Sequence, residues 1–134
     1  MKKFYSFIAA AILTVSLFTS CEKEDDRDAF VGTWHVTESW SNPYDSGTDD
    51  YYITISKSST KDNGILITSL GGNAYNFVVE ATVSGSSMNI PTQLINSGGY
   101  IYNISGSGTI SGNSMSFTYY VQDGWTGSCT ATKS

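Results

Sequence analysis

The chain has 134 residues, of which 14% are charged, and its seven Lys and Arg against twelve Asp and Glu give a net charge of −5. A chain of this length is expected to form one domain. Binding to nucleic acid is not favoured, because nucleic-acid phosphates require a basic surface and this acidic chain has no cluster of cations. A single histidine, His35, excludes multi-histidine metal sites and leaves one imidazole base, which disfavours most hydrolase mechanisms.

The first twenty residues have the pattern of a secretory signal. Two lysines follow Met1, and an apolar run then extends from Phe4 to Phe18, shorter than the ~20 residues of a spanning helix. The small residues directly before Cys21 resemble a bacterial lipobox, in which the cysteine is acylated and becomes the new N-terminus. We therefore expect residues 1–20 to be removed and Cys21 to be a lipid anchor. The alternative is an ordinary secretory signal that ends near a cysteine.

Residues 22–28 are all charged and cannot bury surface, so residues 21–28 are predicted to be a lipidated cysteine and a solvated acidic tether. The sequence Lys23-Glu24-Asp25 resembles the surface-export signal of some Gram-negative lipoproteins. This resemblance implies an outer-membrane lipoprotein that faces the cell exterior, and a position facing the periplasm is the alternative. With Cys21 acylated, Cys129 is the remaining thiol, so no internal disulfide is expected.

Residues 29–134 are predicted to form one all-β domain, because they are rich in Ser, Thr, Gly and Tyr and show period-two alternation. Eight strands are expected: Thr33 to Trp40, Tyr51 to Lys57, Gly64 to Leu70, Tyr75 to Val83, Ser87 to Ile90, Tyr100 to Ile110, Ser114 to Val121 and Trp125 to Lys133. Short connections with turn residues join them, for example Ser84-Gly85-Ser86 and Ser111-Gly112-Asn113.

Eight consecutive antiparallel strands can close into an up-and-down barrel, in which the last strand pairs with the first. Placing Lys133 opposite Trp34 sets Ala131 against Val36, Cys129 against Glu38 and Gly127 against Trp40, so that small residues face large ones. A two-sheet sandwich is the structural alternative.

The residues Phe30-Val31-Gly32-Thr33-Trp34 at the start of the first predicted strand resemble the Gly-x-Trp signature of lipocalins and related calycin barrels. From Phe30 to Lys133, nearly the whole predicted domain also looks like the small lipocalin-like lipoproteins of Gram-negative bacteria. The resemblance implies an eight-stranded barrel closed at one end by Gly32 and Trp34, with a basic residue near the chain end, here Lys133, packed over the tryptophan ring.

Alternating connections place two long predicted loops, Ser41 to Asp50 and Pro91 to Gly99, at one end of the barrel, together with Gly71 to Ala74 and Gln122 to Gly124. Barrels of this type bind ligands at the end that carries the longer loops. The candidate ligand-binding residues are Glu38, Trp40, Tyr51, Tyr100, Tyr102 and Trp125, with Tyr44, Leu94 and Ile95 also at the rim. Glu38 points inward by strand parity and is predicted to orient a ligand; pairing with Lys133 or a tyrosine hydroxyl, contact with water, or a β-bulge are the alternatives.

No catalytic residues are assigned, because neither a paired acid and base nor a nucleophile with its base can be assembled. Cys129 is interpreted as a small buried residue, and Asp45 to Asp50 fails the EF-hand pattern, so no metal and no cofactor are expected. The first hypothesis is a non-catalytic, lipid-anchored binding protein for a small apolar, aromatic or sugar ligand. The alternative is an interaction protein with a filled barrel that presents the outward residues Tyr52, Val78, Ile101 and Tyr120 to a partner.

Overall fold

The alternation along the chain produces eight antiparallel strands in the computed structural model, which describes residues 25–134. They are β1 Gly32–Ser41, β2 Ser46–Lys57, β3 Gly64–Leu70, β4 Phe77–Ser84, β5 Ser87–Ser97, β6 Tyr100–Ser111, β7 Ser114–Val121 and β8 Trp125–Lys133. Each strand pairs with the next, and β8 pairs with β1, so the sheet closes into an up-and-down barrel. The predicted all-β barrel is therefore confirmed, and the sandwich alternative is not adopted.

The closure between β1 and β8 has the register expected from the sequence. Lys133 lies opposite Trp34, Ala131 opposite Val36, Cys129 opposite Glu38 and Gly127 opposite Trp40. Small residues on β8 also leave room for side chains of its other neighbour, β7: a Cβ atom at Gly127 would lie 2.5 Å from the ring of Tyr119. The small residues of β8 thus allow large side chains of the neighbouring strands to pack in the interior.

The interior below the open end is a continuous apolar core. Alternate residues of β4 and β7 point inward and are buried, including Phe77, Val79, Phe117 and Tyr119. Two inward glycines on β6, Gly106 and Gly108, let this strand approach β7 closely, because a Cβ atom at either would lie 2.5 Å from an atom of β7. These positions therefore require glycine for close approach.

The predicted long loops at one end are shorter than expected. β2 begins at Ser46, five residues before the predicted start, because its polar first half pairs with β1. β5 continues past Pro91 to Ser97, because residues 93–97 pair with β6 beyond a bulge between Ile90 and Gln93. Gly98 and Gly99, both at positive φ, then make the two-residue turn to β6. The wall is therefore extended by strand, and the boundaries Ser41 to Asp50 and Pro91 to Gly99 were wrong.

A seam separates β4 and β5 toward the open end. Their ladder covers the three pairs from Ser84↔Ser87 to Thr82↔Asn89. Beyond it, the Gln93 amide crosses the gap: its Oε1 accepts from the backbone N–H of Glu80 at 3.0 Å, and its Nε2 donates to the Glu80 carbonyl at 2.8 Å. Nearer the end, Ser97 Oγ donates to the Tyr75 carbonyl. Side chains therefore replace the backbone ladder along this part of the barrel wall.

The opposite end is closed by residues 25–30, here called the closing segment, which includes a 3-10 turn at Asp26–Ala29. Phe30 is fully buried, and its carbonyl accepts a hydrogen bond from Trp34 Nε1 at 2.8 Å. The Arg27 guanidinium donates to the carbonyls of Lys61 and Gly64 in and after the connection between β2 and β3. These contacts hold residues 25–28 against the barrel, so this part of the chain does not form the solvated tether expected from its charges.

The predicted signal peptide, residues 1–20, and the predicted lipid anchor Cys21 lie outside the described residues. Within residues 25–134 there is no helix with the length and apolar character needed to cross a membrane.

Candidate ligand site at the open end

Four connections meet at one end of the barrel: those between β1 and β2, β3 and β4, β5 and β6, and β7 and β8. A cleft of about 270 Å³ opens there. It is lined by aromatic and apolar side chains from the strand ends and by polar residues from the connections: Asn42, Pro43, Tyr44, Tyr75, Phe77, Tyr102, Val121, Gln122, Asp123 and Trp125. The arrangement is typical of small-molecule sites, which combine an apolar wall with a few polar groups.

The aromatic wall of the cleft is a set of rings in mutual contact. Tyr75 stacks on Phe77 with ring centroids 5.2 Å apart, and it meets the rings of Tyr102 and Trp125 edge-on at 6.0 Å. Trp125 in turn packs against Tyr119 at 5.2 Å. Rings that support one another in offset and edge-to-face contacts hold a fixed shape. The wall is therefore a preformed apolar surface on which a flat ligand can lie.

The polar rim of the cleft includes an amide and a carboxylate. Asn42 Oδ1 accepts from the backbone N–H groups of Tyr44 and Asp45, each at 2.8 Å, which fixes the connection between β1 and β2. Gln122 binds the backbone of β6, accepting from Asn103 N at 2.8 Å. Asp123 has φ of 67° in the turn before β8. The rim therefore presents the Asn42 amide and the Asp123 carboxylate beside the aromatic wall.

Of the six ligand-binding residues expected from the sequence, Tyr102 and Trp125 line this cleft. Trp40 lies at the same end but packs on Gly47, where a Cβ atom would lie 2.6 Å from its ring. Tyr100 has inward parity but stands above the rim with 71% of its surface exposed, and Leu94 is 72% exposed. Trp40 and Tyr100 are thus outside the lining of the cleft.

Glu38 is buried beneath the cleft and is bonded to protein groups. Its Oε1 accepts from the hydroxyl of Tyr119 at 2.5 Å, from the hydroxyl of Tyr51 at 2.7 Å and from the Cys129 thiol at 3.4 Å. Of the partners considered from the sequence, tyrosine hydroxyls bind Glu38, whereas Lys133 lies at the closed end of the barrel. Glu38 and Tyr51 therefore belong to a buried network that supports the ring of Tyr119 below Trp125.

Burial is the main cause of the ionisation behaviour of this network. Loss of solvation raises the pKa of Tyr51, Tyr119 and Cys129 well above their usual values, and the nearby Glu38 carboxylate adds to the shift. Cys129 therefore remains a thiol at neutral pH, and its burial confirms its interpretation as a small buried residue.

The residues expected to close the barrel lie together at the other end. Lys133 Nζ is 5.4 Å from the centroid of the Trp34 ring and donates to the Ala29 carbonyl at 3.2 Å. Gly32 has φ of 138° and passes beneath the lysine stem, since a Cβ atom there would lie 3.1 Å from Lys133 Cε. His35 faces outward, stacked on Tyr52 with centroids 4.9 Å apart.

Sequence reasoning missed part of the cleft. Tyr75 and Phe77 lie at the start of the predicted fourth strand and were not among the candidate ligand-binding residues, although their position next to the open-end connections was a usable signal. Asn42, Pro43 and Asp123 lie in connections without periodicity, so alternation could not identify them. In residues 25–134 no group of three or more His, Cys, Asp or Glu side chains is arranged to hold a metal ion.

Comparison with known proteins supports the fold. No protein-family model and no curated protein matches the chain. The chain is similar to a solved structure of a redesigned β barrel, with a TM-score of 0.58 and 16% sequence identity over 82% of this chain and 96% of the other. At this identity the similarity shows the barrel architecture alone.

Proposed function

We propose that the protein is a non-catalytic, lipid-anchored binding protein of the lipocalin-like type, which holds a small apolar, aromatic or sugar ligand at the open end of its barrel. The observation that carries this proposal is the aromatic cleft formed by Tyr75, Phe77, Tyr102 and Trp125. Its volume of about 270 Å³ suits one ring system or one sugar ring better than a long acyl chain. The filled core below the cleft leaves the ligand at the mouth, where part of it stays in water.

The lipobox resemblance at Cys21 supports anchoring of this binding protein to the outer membrane, and Lys23-Glu24-Asp25 supports the exterior face. Several acyl chains hold a protein on a bilayer far more firmly than a single chain does. Intact-mass measurement of the protein from a bacterium that processes lipoproteins tests this part. A mature chain that begins at Cys21 and carries acyl chains supports the proposal, and an unmodified cysteine contradicts it.

Ligand binding is tested by native mass spectrometry of the mature chain, Cys21 to Ser134, after incubation with extracts of lipids, pigments and glycans. Trp125→Ala removes one wall of the cleft, and Trp40→Ala is the matched control, because Trp40 is at the same end and outside the lining. We expect a bound species that is lost in Trp125→Ala and retained in Trp40→Ala. Equal loss in both variants, or no bound species at all, would contradict the cleft as the binding site.

A second candidate function is protein interaction through the outer face of the barrel. Large hydrophobic side chains are exposed there, with Tyr52 at 58%, Ile101 at 60% and Tyr120 at 52%, and Val78 at 48%. Scattered exposed apolar residues are normal, but aromatic residues are enriched in interfaces. Photo-crosslinking from Ile101 on intact cells distinguishes this function: a specific crosslinked protein that persists in Trp125→Ala supports interaction independent of the cleft.

A further inference from the structure

We propose that the barrel stands on the membrane on its closed end, with the lipid headgroups against the closing segment and the aromatic mouth directed away from the bilayer. This inference rests on the proposed attachment of the protein at Cys21. It adds an interaction surface, the closed end, and its partner, the bilayer that holds the anchor.

The path of the chain supports this orientation. Asp25, the first described residue, is 3.3 Å from Lys57 Nζ at the closed-end terminus of β2, and its carboxylate also binds Arg27. The arginine and lysine lower the pKa of Asp25, so it stays ionised in these pairs at neutral pH. Asp26 accepts from the backbone N–H of Gly85 in the turn between β4 and β5 at 3.0 Å. The chain is therefore held against the closed end from its first described residue.

The length of the tether limits what can reach the bilayer. Four residue steps separate Cys21 from Asp25, and a fully extended chain spans at most about 14 Å over that length. A ten-residue strand such as β1 is about 33 Å long, which gives a barrel roughly 25 Å tall at the usual strand tilt. Since this link is shorter than the barrel, an anchor at Cys21 keeps the closed end near the headgroups and excludes an orientation with the mouth on the bilayer and the closed end farthest from it.

Charge favours the same orientation. The four cations in the described part of the chain, Arg27, Lys57, Lys61 and Lys133, all lie at the closed end. They offset the four aspartates found there, which are Asp25, Asp26, Asp28 and Asp62. The open half of the barrel instead carries Asp45, Asp49, Asp50 and Asp123 without a Lys or Arg among the residues that the structure describes, and Asp50 lies 3.7 Å from His35 Nε2. Anionic headgroups therefore repel the mouth and tolerate the closed end.

Fluorescence quenching by headgroup spin labels tests this orientation. A ketone-bearing amino acid, coupled to a fluorophore, is placed either at Ser59 in the connection between β2 and β3 or at Tyr44 at the mouth; both residues are exposed. The mature chain is attached through Cys21 to vesicles of phosphatidylcholine, phosphatidylglycerol and a maleimide lipid, with nitroxide on a fraction of the headgroups. Cys129→Ser makes Cys21 the single attachment point, and Cys21→Ser gives the unattached baseline.

We expect several-fold stronger quenching at Ser59 than at Tyr44. Equal quenching at the two positions, or stronger quenching at Tyr44, would overturn the proposed orientation. Chemical attachment at Cys21 keeps this result separate from the proposed function, because failure of acylation in cells appears in the intact mass and leaves the vesicle experiment interpretable.

Discussion

Glu38 is buried in the interior of the barrel, and a buried carboxylate is costly unless its oxygens accept hydrogen bonds. Three donors, from Tyr119, Tyr51 and Cys129, converge on one of its oxygens. Strand parity predicted that Glu38 points inward, but parity gives no information on which tyrosine from a strand distant in sequence will reach it. The partners follow from closure of the barrel, which places β2 and β8 on either side of β1, with β7 next to β8.

Removing one donor to Glu38 should destabilise the fold. Tyr119→Phe leaves the ring in place but takes away a hydrogen bond to a charged or buried acceptor, and we expect a loss of about 1–3 kcal/mol in the free energy of unfolding. Tyr120→Phe is the matched control, since the neighbouring Tyr120 is 52% exposed on the outer face. Urea unfolding of both variants measures the difference. Equal midpoints for Tyr119→Phe and Tyr120→Phe would show that the bond contributes nothing.

The same network predicts loss of stability at alkaline pH. In the folded protein the pKa values of Cys129 and Tyr119 are raised above the ordinary values of 9.0 and 10.0. At a pH between the ordinary pKa and the raised pKa of a group, the unfolded chain has lost a proton that the folded chain keeps. Stability is therefore full below pH 9.0 and falls as the pH rises, by about 1.4 kcal/mol per pH unit for each group. Urea unfolding at a series of pH values measures this fall.

Cys129→Ala separates the contribution of the thiol to that fall from the contributions of Tyr119 and Tyr51, whose pKa values are also raised. Without the thiol, the loss should begin near pH 10.0, where tyrosine ionises in the unfolded chain, instead of near pH 9.0. An unchanged onset in this variant would assign the whole effect to the tyrosines.

At the scale of the elements, close contact between β6 and β7 requires small side chains at Gly106 and Gly108. Gly106→Ala would place a Cβ atom 2.5 Å from the Thr118 carbonyl and 3.0 Å from Tyr119 Cα, atoms of a backbone that cannot easily move. We expect destabilisation of about 1–3 kcal/mol from such overpacking. Ser107→Ala, at the exposed position between the two glycines, should change stability by less than about 0.5 kcal/mol, and thermal unfolding compares the two variants.

The strands show which parts of the fold can be predicted from sequence. All eight were identified, because alternation and turn residues are local signals, and the β1–β8 register followed from placing Lys133 opposite Trp34, which sets small residues against large ones. The first half of β2 was missed, since Gly47, Asp49 and Asp50 have low strand propensity and become strand by pairing with β1. The end of β5 was missed because the bulge after Ile90 interrupts the alternation.

The candidate site was predictable to a smaller extent for a related reason. Tyr102 and Trp125 lie on inward positions near strand ends, which alternation identifies. Trp40 and Tyr100 have the same parity, but packing on Gly47 and exposure above the rim keep them out of the cleft. Parity fixes the face of a sheet on which a side chain lies and leaves its depth along the barrel axis to the conformation of the connections.

For the molecule as a whole, the uneven distribution of charge should select among ligands. The cleft is lined by Asp123 and by no Lys or Arg, and further aspartates lie at the same end. We expect neutral N-phenyl-1-naphthylamine to bind more tightly than anilinonaphthalene sulfonate, an anion with a closely related ring system, because the open end repels negative charge. Fluorescence titration measures both affinities.

Asp123→Asn tests the origin of that selectivity. Removing the carboxylate that lines the cleft should reduce the difference in affinity between the two dyes. Added salt should make this reduction smaller, because it screens the charge of Asp123. Tighter binding of the sulfonate to the unmodified protein would contradict electrostatic selection at the mouth.

The seam between β4 and β5 means that the barrel wall lacks a backbone ladder along part of its length, which changes how the barrel can deform. A barrel with a continuous ladder widens only when backbone hydrogen bonds break. In this barrel, β4 and β5 can separate at the open end while their ladder at the closed end stays intact. The hinge of this movement is the ladder from Thr82 to Ser84. The hydrogen bonds of the Gln93 amide and the Ser97 hydroxyl hold the two strands together beyond it. Phe77 lines the cleft and lies at the edge of this seam. Loss of the Gln93 and Ser97 hydrogen bonds would therefore enlarge the mouth and admit ligands larger than the closed cleft can hold.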